Sequence, residues 1–405
     1  MIERDFTNCP QKIQKSYLGA NGSKKCLIID GVDYMVKFPA LPTKKTELSY
    51  ANSCVSEYLG CHIFEIAEIP VQKTILGTYN TTTGNTKLVV ACKDVTKPGI
   101  ELIPFAGLKN QIVDSSRNGY GTELSEILKT FSEQTLFPEE EICSRFWDMF
   151  IVDALIGNWD RHNGNWGYLY DSINNEVALA PVYDCGSSLF PQADEKNMQA
   201  VLTDVNELKQ RVYQRPLSSI KIDDKKINYR DFILSLENED CNKSLKNIFP
   251  KLSQEKINKL IDETPYISNL QKDFYKLILN SRRELILEKA YNKLIEKEKT
   301  IEKNAVFIQS PVDLCNKYME VLLESSKSLS LKESMKKAYE TVIETSDKVT
   351  TSLNKHMFKS YFNNMGIKTG KDFEEYFQKE INKAKEQSLK IKPSKKRDDD
   401  IGYGY

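Results

Sequence analysis

The sequence predicts an α+β protein with a small lobe of antiparallel strands and one helix, a large helical lobe, and a C-terminal helical appendage. Three observations predict this arrangement. Alternating apolar and polar residues, typical of strands, are concentrated before residue 95. From about Glu101 onward the apolar residues recur at helical spacing, and near Glu298 the chain becomes polar before further charged amphipathic helices. The predicted divisions are a small lobe over residues 1–95, a large lobe over 96–298, a helical accessory region over 299–390 and a disordered tail over 391–405.

The first element is a loop with two glycines that leads into a β-hairpin. The loop covers residues 16–25, and the hairpin consists of an apolar run over 26–29 and a second strand over 34–38. Glycines with small neighbours let backbone N–H groups approach phosphate oxygens, although a flexible loop before a hairpin is the alternative. The candidate phosphate-binding residues are Gly19, Ala20, Asn21, Gly22, Ser23 and Lys24.

Lys37 lies on the second strand of this hairpin. Successive side chains of a strand point to opposite faces, so Tyr34, Val36 and Phe38 share one face while Met35 and Lys37 share the other. Lys37 can therefore point from the sheet towards a nucleotide. A solvated strand lysine is the alternative.

A helix over residues 47–60 follows, with an apolar stripe and Gly60 as its predicted end. Glu57 lies at the edge of the stripe, where it can reach Lys37 and hold the ammonium group against phosphates, unless it is merely a solvated helix residue. Strands over 71–78 and 88–92 complete the small lobe. Ala91 and Cys92, which end the last strand, complete the expected nucleotide-binding set.

Asp160, Asn165 and Asp184 carry the strongest functional signal. Asn165 comes five residues after Asp160, and Asp184 is followed two residues later by Gly186. In protein kinases an Asp orients the attacking hydroxyl, and an Asn five residues later and an Asp beside a Gly hold the metal ions. A β-ribbon over residues 166–182 is expected to return Asp184 to Asn165. These residue types also form ordinary turns, so the motif gains its weight from the lysine, loop and glutamate upstream.

A helix over residues 138–156 leads into this motif, and Asp153 falls within its apolar stripe. A buried carboxylate is costly unless it is bonded, so Asp153 is expected to contact the loop over residues 158–162. His162 is expected to order that loop rather than bind metal, because the chain has three histidines and no second one at metal-ligand spacing. Further helices are predicted over residues 123–131, 229–236, 254–261, 272–298, 313–323, 331–349 and 371–389.

Together these motifs resemble the HipA-type serine/threonine kinases, and among them the short HipA-like effector kinases. The matching segments are residues 19–25, 34–39, 56–58 with 62–64, and 157–162 with Asn165. The resemblance implies a bilobal protein-kinase-like fold and transfer of phosphate from ATP, with Mg²⁺, to a serine or threonine of a protein substrate. It implies that Lys37 binds ATP phosphates, Asp160 is the catalytic acid, and Asn165 and Asp184 bind the metal.

The resemblance also aligns Ser16 with the serine that HipA-type kinases autophosphorylate, and Ser23 is a second candidate. A phosphate on Ser16 would repel the phosphates of ATP and switch the enzyme off. Binding to an antitoxin is implied by the family alone. Full-length HipA proteins carry an additional domain before the phosphate loop, whereas fifteen residues precede Ser16 here, so the antitoxin surface is open to question. Cys185 replaces the aromatic residue of eukaryotic kinases, whose activation-loop regulation is therefore not expected.

Composition is consistent with this interpretation. The chain has 57 cationic and 57 anionic residues, so no overall field attracts nucleic acid or a membrane surface, and neither is expected as a partner. Nine cysteines without a C-x-x-C pair indicate free thiols in a reducing compartment. Without a signal-type apolar segment, the cytoplasm is the expected location, although secretion by a route without a signal peptide would leave no such mark.

Two alternatives stay open at this point. A small-molecule phosphotransferase of the aminoglycoside or sugar type uses the same order of Asp, Asn and Asp. A non-catalytic nucleotide-binding pseudokinase or toxin module is the other alternative, although intact Lys37, Asp160, Asn165 and Asp184 favour catalysis.

Overall fold

A computed structural model describes residues 3–15, 17, 23–39, 51–113, 117–305, 310–344 and 348–390. Ser16, Gly19, Ala20, Asn21 and Gly22 lie outside the described residues, as does the first part of the helix predicted over 47–60. The chain forms two compact units, Met1–Ile295 and Glu296–Tyr405. The finer four-part division stays a prediction.

The first unit begins with a four-stranded antiparallel sheet. Its strands are β1 (Lys24–Ile29), β2 (Val32–Lys37), β3 (Thr74–Asn80) and β4 (Thr86–Lys93), in the order β1-β2-β4-β3. The predicted alternation on β2 is confirmed. Val36 packs with Phe6 and Val89 on one face of the sheet, and Met35 packs against the main core on the other.

Helix α1 (Ser53–Ile66) packs on the second face of this sheet. The predicted end at Gly60 is wrong, because the helix continues to Ile66. The reason that a glycine occurs here is tertiary packing. A Cβ atom on Gly60 would lie 2.6 Å from the Cβ of Cys185, so only glycine lets α1 approach the segment that carries Asp184.

A three-stranded sheet lies along the segment that joins Asn165 to Asp184. Strand β5 (Ile100–Pro104) pairs with β6 (Gly167–Asp171), which pairs with β7 (Glu176–Leu179). The predicted ribbon is present as β6 and β7. The expectation that strands stop near Glu101 is wrong, because β5 forms the edge of this sheet by pairing with residues far along the chain.

The rest of the first unit is mainly helical. Its helices are α2 (Phe105–Ile112), α3 (Leu124–Glu133), α4 (Glu139–Ile156), α5 (Glu195–Thr203), α6 (Val205–Lys209), α7 (Tyr229–Ser235), α8 (Glu239–Ile248), α9 (Gln254–Glu263), α10 (Asn269–Arg282) and the first part of α11 (Lys289–Ala305), whose residues from Glu296 onward belong to the second unit. The single helix predicted over 272–298 is two helices joined by a π-helical segment, Arg283–Glu288. It starts earlier than predicted, because Ser268 and Gln271 form a capping box.

The second unit contains α12 (Pro311–Ser325), α13 (Leu331–Val342), α14 (Lys348–Asn364) and α15 (Gly370–Lys390). The helix predicted over 331–349 ends at Val342, and α14 was not predicted. Aromatic rings of Tyr318, Phe358, Phe362 and Phe377 dominate its core. Among the described helices, none has the length and apolar composition that crossing a membrane requires.

Candidate active site

Lys37 is the point where three elements of the first unit meet. It lies at the end of β2, and its Nζ is 3.0 Å from Glu57 Oε2 on α1 and 3.0 Å from Asp184 Oδ1. Burial alone would lower the pKa of Lys37, but the carboxylates of Asp184 and Glu57 raise it well above its ordinary value. Lys37 is therefore a permanent cation at this junction.

Glu57 is buried on α1, and the expected contact with Lys37 is present. The start of α1 is tied to the segment that follows Asp184. The Asn52 N–H donates to the Pro191 carbonyl at 2.9 Å, and Asn52 Nδ2 donates to the Ala193 carbonyl at 2.7 Å. The position of Glu57 is thus fixed relative to both Lys37 and Asp184.

Lys24 adds a second cation beside Lys37. The sequence places it in the candidate phosphate loop, whereas in the structure it is the first residue of β1. It lies directly opposite Lys37 in the β1–β2 pair, so the two side chains share a face. Burial, together with the charge of Lys37, lowers the pKa of Lys24. Ser23 is exposed, and its carbonyl accepts a hydrogen bond from the Phe38 N–H at 3.0 Å.

The loop after α4 begins at Gly157, whose backbone is left-handed with φ 62° and caps the helix. Asp153, in the last turn of α4, accepts hydrogen bonds from Arg161 Nε at 2.9 Å and from Asn158 Nδ2 at 3.0 Å. This confirms the expectation that Asp153 contacts the loop. Burial raises the pKa of the Asp153 carboxyl, and the Arg161 guanidinium opposes that shift.

Arg161 holds the loop over residues 158–165 and the Asp184 segment together. Its guanidinium donates to the Asn165 carbonyl at 2.8 Å, to the Tyr183 carbonyl, and to Cys185 Sγ at 3.5 Å. The sequence analysis gave Arg161 no role. The available signal was the buried Asp153, because a buried carboxylate needs a partner and Arg161 is the cation within the loop.

Asp160 and Asn165 lie side by side on this loop. Asn165 Nδ2 donates to the Asp160 carbonyl at 2.7 Å, which leaves the amide oxygen of Asn165 as the atom available to a cation. The Asp160 N–H donates to Asn158 Oδ1 at 3.0 Å, and the described residues form no hydrogen bond with its carboxylate. Burial raises the pKa of the Asp160 carboxyl; His162 opposes this shift and the charge of Asp184 adds to it.

The backbone of Asp184 has an uncommon conformation. Its φ is 59°, in the left-handed region that few non-glycine residues occupy and that often marks functional sites. The preceding segment is fixed by the Gln72 N–H, which donates to the Val182 carbonyl at 2.9 Å. The Asp184 side chain remains 42% exposed. Partial removal from water would raise the pKa of the Asp184 carboxyl, but the charge and hydrogen bond of Lys37 lower it below its ordinary value.

The donor set fits a hard divalent cation. Asp184 supplies a carboxylate and Asn165 an amide oxygen, and Mg²⁺ is commonly held by one or two carboxylates together with water and substrate phosphates. Within the described part of the chain, no group of three His, Cys, Asp or Glu side chains forms a dedicated metal cage. The arrangement therefore suits a metal that is completed by a nucleotide.

Two predicted binding residues have no exposed surface. Ala91 and Cys92 are both buried in β4. Ala91 packs in the cluster around Phe6, and Cys92 lies on the opposite face of the sheet, where its Sγ contacts Glu57 of α1. Their roles stay predictions. His162 orders its loop as expected, because its Nδ1 accepts a hydrogen bond from the Gly164 N–H at 2.9 Å.

Comparisons with known proteins show which proteins this chain resembles. A model of the HipA-like C-terminal domain matches residues 18–264. The serine/threonine-protein kinase CtkA of Helicobacter pylori (strain J99) is 43% identical over 293 residues, which cover 72% of this chain and 89% of that protein. The crystal structure of a Helicobacter pylori proinflammatory kinase CtkA matches with a TM-score of 0.69 and 42% identity, covering 73% of this chain and 98% of the other.

A chain from the Shewanella oneidensis MR-1 toxin–antitoxin complex of HipA, HipB and operator DNA also matches. Its TM-score is 0.42 at 15% identity, over 69% of this chain and 68% of that one. This likeness is too weak to carry an argument.

Proposed function

This chain belongs to the family of HipA-like kinases, its activity is that of a serine/threonine protein kinase, and we propose that the residues around Lys37 form the active site. The observation that carries this proposal is the pair of 3.0 Å contacts from Lys37 Nζ to Glu57 and to Asp184. These contacts join a strand lysine, a helix glutamate and a carboxylate beside the catalytic loop, the combination that phosphoryl transfer requires.

Cationic side chains form the part of the site that binds the nucleotide. Lys37, held by Glu57, binds the phosphates of ATP as a fixed charge, and Lys24 adds to the positive field from the neighbouring strand. The loop residues Gly19, Ala20, Asn21 and Gly22 are expected to approach the same phosphates through their backbone N–H groups.

The metal side consists of Asp184 and Asn165, which would hold Mg²⁺. When bound, Mg²⁺ neutralises the charge on the phosphate oxygens. Asp184 is suited to this role because Lys37 keeps it ionised. Arg161 positions both ligands, since it donates to the Asn165 carbonyl and to the carbonyl of the residue before Asp184.

Asp160 acts on the acceptor. Its carboxylate accepts the hydrogen of the serine or threonine hydroxyl and so orients that oxygen towards the phosphoryl group. A loose transition state asks for little covalent chemistry from the protein, so positioning and charge neutralisation supply most of the rate.

The acceptor is a protein hydroxyl, as in the related kinase, rather than the soluble alcohol of a small-molecule phosphotransferase. Autophosphorylation at Ser16, or at the exposed Ser23, is the expected self-directed reaction. Binding to an antitoxin and a cytoplasmic location stay predictions.

Asp184→Ala tests the assignment. Transfer of radiolabelled phosphate from ATP to the protein itself and to dephosphorylated casein should fall by at least about 10²–10³-fold, because the metal ligand is lost. Glu176→Ala, which removes an exposed carboxylate on β7, should leave transfer unchanged. Thermal melting followed by circular dichroism checks folding, and Asp184→Asn replaces any variant that does not fold. Wild-type transfer by a folded Asp184 variant would refute the metal assignment.

A further inference from the structure

A buried lysine and a buried asparagine near the proposed active site have no role in the chemistry described above. Lys109 lies in α2, and Asn163 lies in the loop over residues 158–165, between Asp160 and Asn165. Neither Lys109 nor Asn163 has exposed surface. A buried cation or amide is costly unless its polar atoms are bonded, so the partners of these two residues indicate what they do.

Asn163 joins this loop to the segment that follows α2. Its Nδ2 donates to the Gly119 carbonyl at 2.9 Å and to the Gly121 carbonyl at 2.7 Å. Because both partners are carbonyl oxygens, the group that faces them is the NH₂ of the amide, and this fixes the orientation of the side chain. One side chain of the loop thus binds two carbonyls of a segment that comes much earlier in the sequence.

Lys109 binds the same segment. Its Nζ donates to the Gly121 carbonyl at 2.9 Å and pairs with the carboxylate of Glu126 on α3. The Gly121 carbonyl oxygen therefore accepts hydrogen bonds from both Lys109 and Asn163, which uses both of its lone pairs. The two buried side chains are connected through this shared oxygen.

Gly119 allows the segment to lie this close to α2. Its φ is 78°, in the left-handed region, and an added Cβ atom would lie 1.9 Å from the Ala106 carbonyl oxygen. The Ala106 N–H donates to the Asn163 carbonyl at 2.8 Å. The backbone of Asn163 is therefore bound to α2, while its side chain is bound to the segment that follows α2.

These bonds hold the loop at a point between its two functional residues. Asn165 Nδ2 donates to the Asp160 carbonyl at 2.7 Å, so the part of the loop that contains Asn163 is closed on itself. Arg161 binds this loop to the Asp184 segment, and Asn163 binds it to α2 and the segment after it. Two separate sets of hydrogen bonds thus fix the loop.

We propose that Asn163 and Lys109 are positioning residues for phosphate transfer, which place Asp160 and Asn165 by fixing the loop to the Gly121 carbonyl. This proposal rests on the kinase function proposed above. Both side chains are buried, so they act through Asp160 and Asn165 and not by contact with the substrate. A displacement of about 1 Å in a reacting group can reduce a rate by about 10²-fold.

Asn163→Ala tests the proposal, because it removes both bonds to the segment after α2. The kcat for phosphate transfer to casein should fall by about 10–100-fold as Asp160 and Asn165 lose their fixed positions. Binding of ATP measured without Mg²⁺ should be unchanged, because Lys24 and Lys37 lie on β1 and β2. A general loss of structure would weaken ATP binding together with kcat.

Asn354→Ala is the matched control. Asn354 is a buried asparagine of the second unit, and its Nδ2 donates to the Ile343 carbonyl at 3.3 Å. Like Asn163, it has an Oδ1 atom without a hydrogen-bond partner among the described residues. Thermal melting followed by circular dichroism measures the stability of both variants, and Asn354→Ala should leave kcat unchanged.

Lys109→Met is a second, independent variant. It removes the ammonium group while keeping most of the side-chain volume, and the Glu126 side chain that it leaves unpaired is 39% exposed, so this variant should fold. Its kcat should also fall. Because Lys109 and Asn163 act through the same carbonyl, the double variant should be about as slow as the slower single variant.

Losses of kcat that multiply in the double variant would overturn the proposal. So would a wild-type kcat in folded Asn163→Ala or Lys109→Met, an equal loss of kcat in Asn354→Ala, or weaker binding of ATP without Mg²⁺. If Asn163→Ala does not fold, the kcat of Lys109→Met decides the question. A wild-type protein that transfers no phosphate to itself or to casein would instead overturn the proposed active site.

Discussion

The two units of the chain bury different kinds of side chain. Among its described residues, the first unit buries five that are charged, namely Glu57, Lys109, Asp153, Arg161 and Arg282. Among the described residues of the second unit, the buried polar side chains are Ser325, Ser334 and Asn354, and none is charged. The second core is instead apolar and includes the packed aromatic rings of Tyr318, Phe362 and Phe377.

This difference shows that the first unit keeps buried charges, which are costly for folding, around its proposed active site. A buried charge is expensive unless it is paired and hydrogen-bonded. In the first unit the pairs Lys37–Glu57 and Asp153–Arg161 surround the proposed active site. The second unit contains no such arrangement in its described part, and the family model ends at residue 264, before this unit begins.

The largest effect is expected from breaking the buried pair beneath the catalytic loop. Asp153→Ala leaves Arg161 buried without its carboxylate, which should cost about 3–5 kcal/mol of stability. Kinase activity should be lost with it, because Arg161 positions both Asn165 and the segment before Asp184. Urea unfolding and phosphate transfer to casein measure the two effects.

A matched exposed pair supplies the control for this variant. Asp262 pairs with Lys276 at the surface of the first unit, and Asp262→Ala should cost no more than about 1 kcal/mol and leave activity unchanged. Similar losses in the two variants would show that burial of the charge does not distinguish the site from its surroundings.

The second unit should respond differently to a deletion in its core. Phe362 is buried there and contacts the rings of Phe358, Phe373 and Phe377. Phe362→Ala should cost about 3 kcal/mol through the cavity it leaves, in the unfolding transition of this unit. Phosphate transfer to casein should be unchanged at a temperature where both units are folded. A parallel loss of transfer would mean that the chemistry depends on the second unit.

Much of the proposed site follows from the order and spacing of residues. The alternation along β2 predicts which face of the sheet carries Lys37. The five-residue spacing from Asp160 to Asn165 predicts the loop proposed to be catalytic. These features are local, so a single sequence contains them. The resulting contact of Lys37 with Glu57 and Asp184 is found in the structure.

The features that the sequence did not reveal depend on distant contacts. Strand β5 exists because it pairs with β6, more than sixty residues later, and its own pattern is only partly buried. Gly60 was interpreted as a helix end, but a close contact with Cys185 requires it. A short hairpin that the sequence did not reveal pairs Lys221–Ile222 with Lys225–Lys226, and two residues in each strand are too few for a period to be recognised.

The smallest expected effect is the loss of kcat/KM at low pH. It should depend on a carboxyl of the first unit and not on the second unit. Burial, with a contribution from Asp184, raises the pKa of the Asp160 carboxyl. Asp160 must be ionised to accept the hydroxyl hydrogen, so kcat/KM should fall as the pH decreases through a value above the ordinary range of aspartate. The described part of the second unit buries no carboxylate, so Phe362→Ala should leave this acid limb in place.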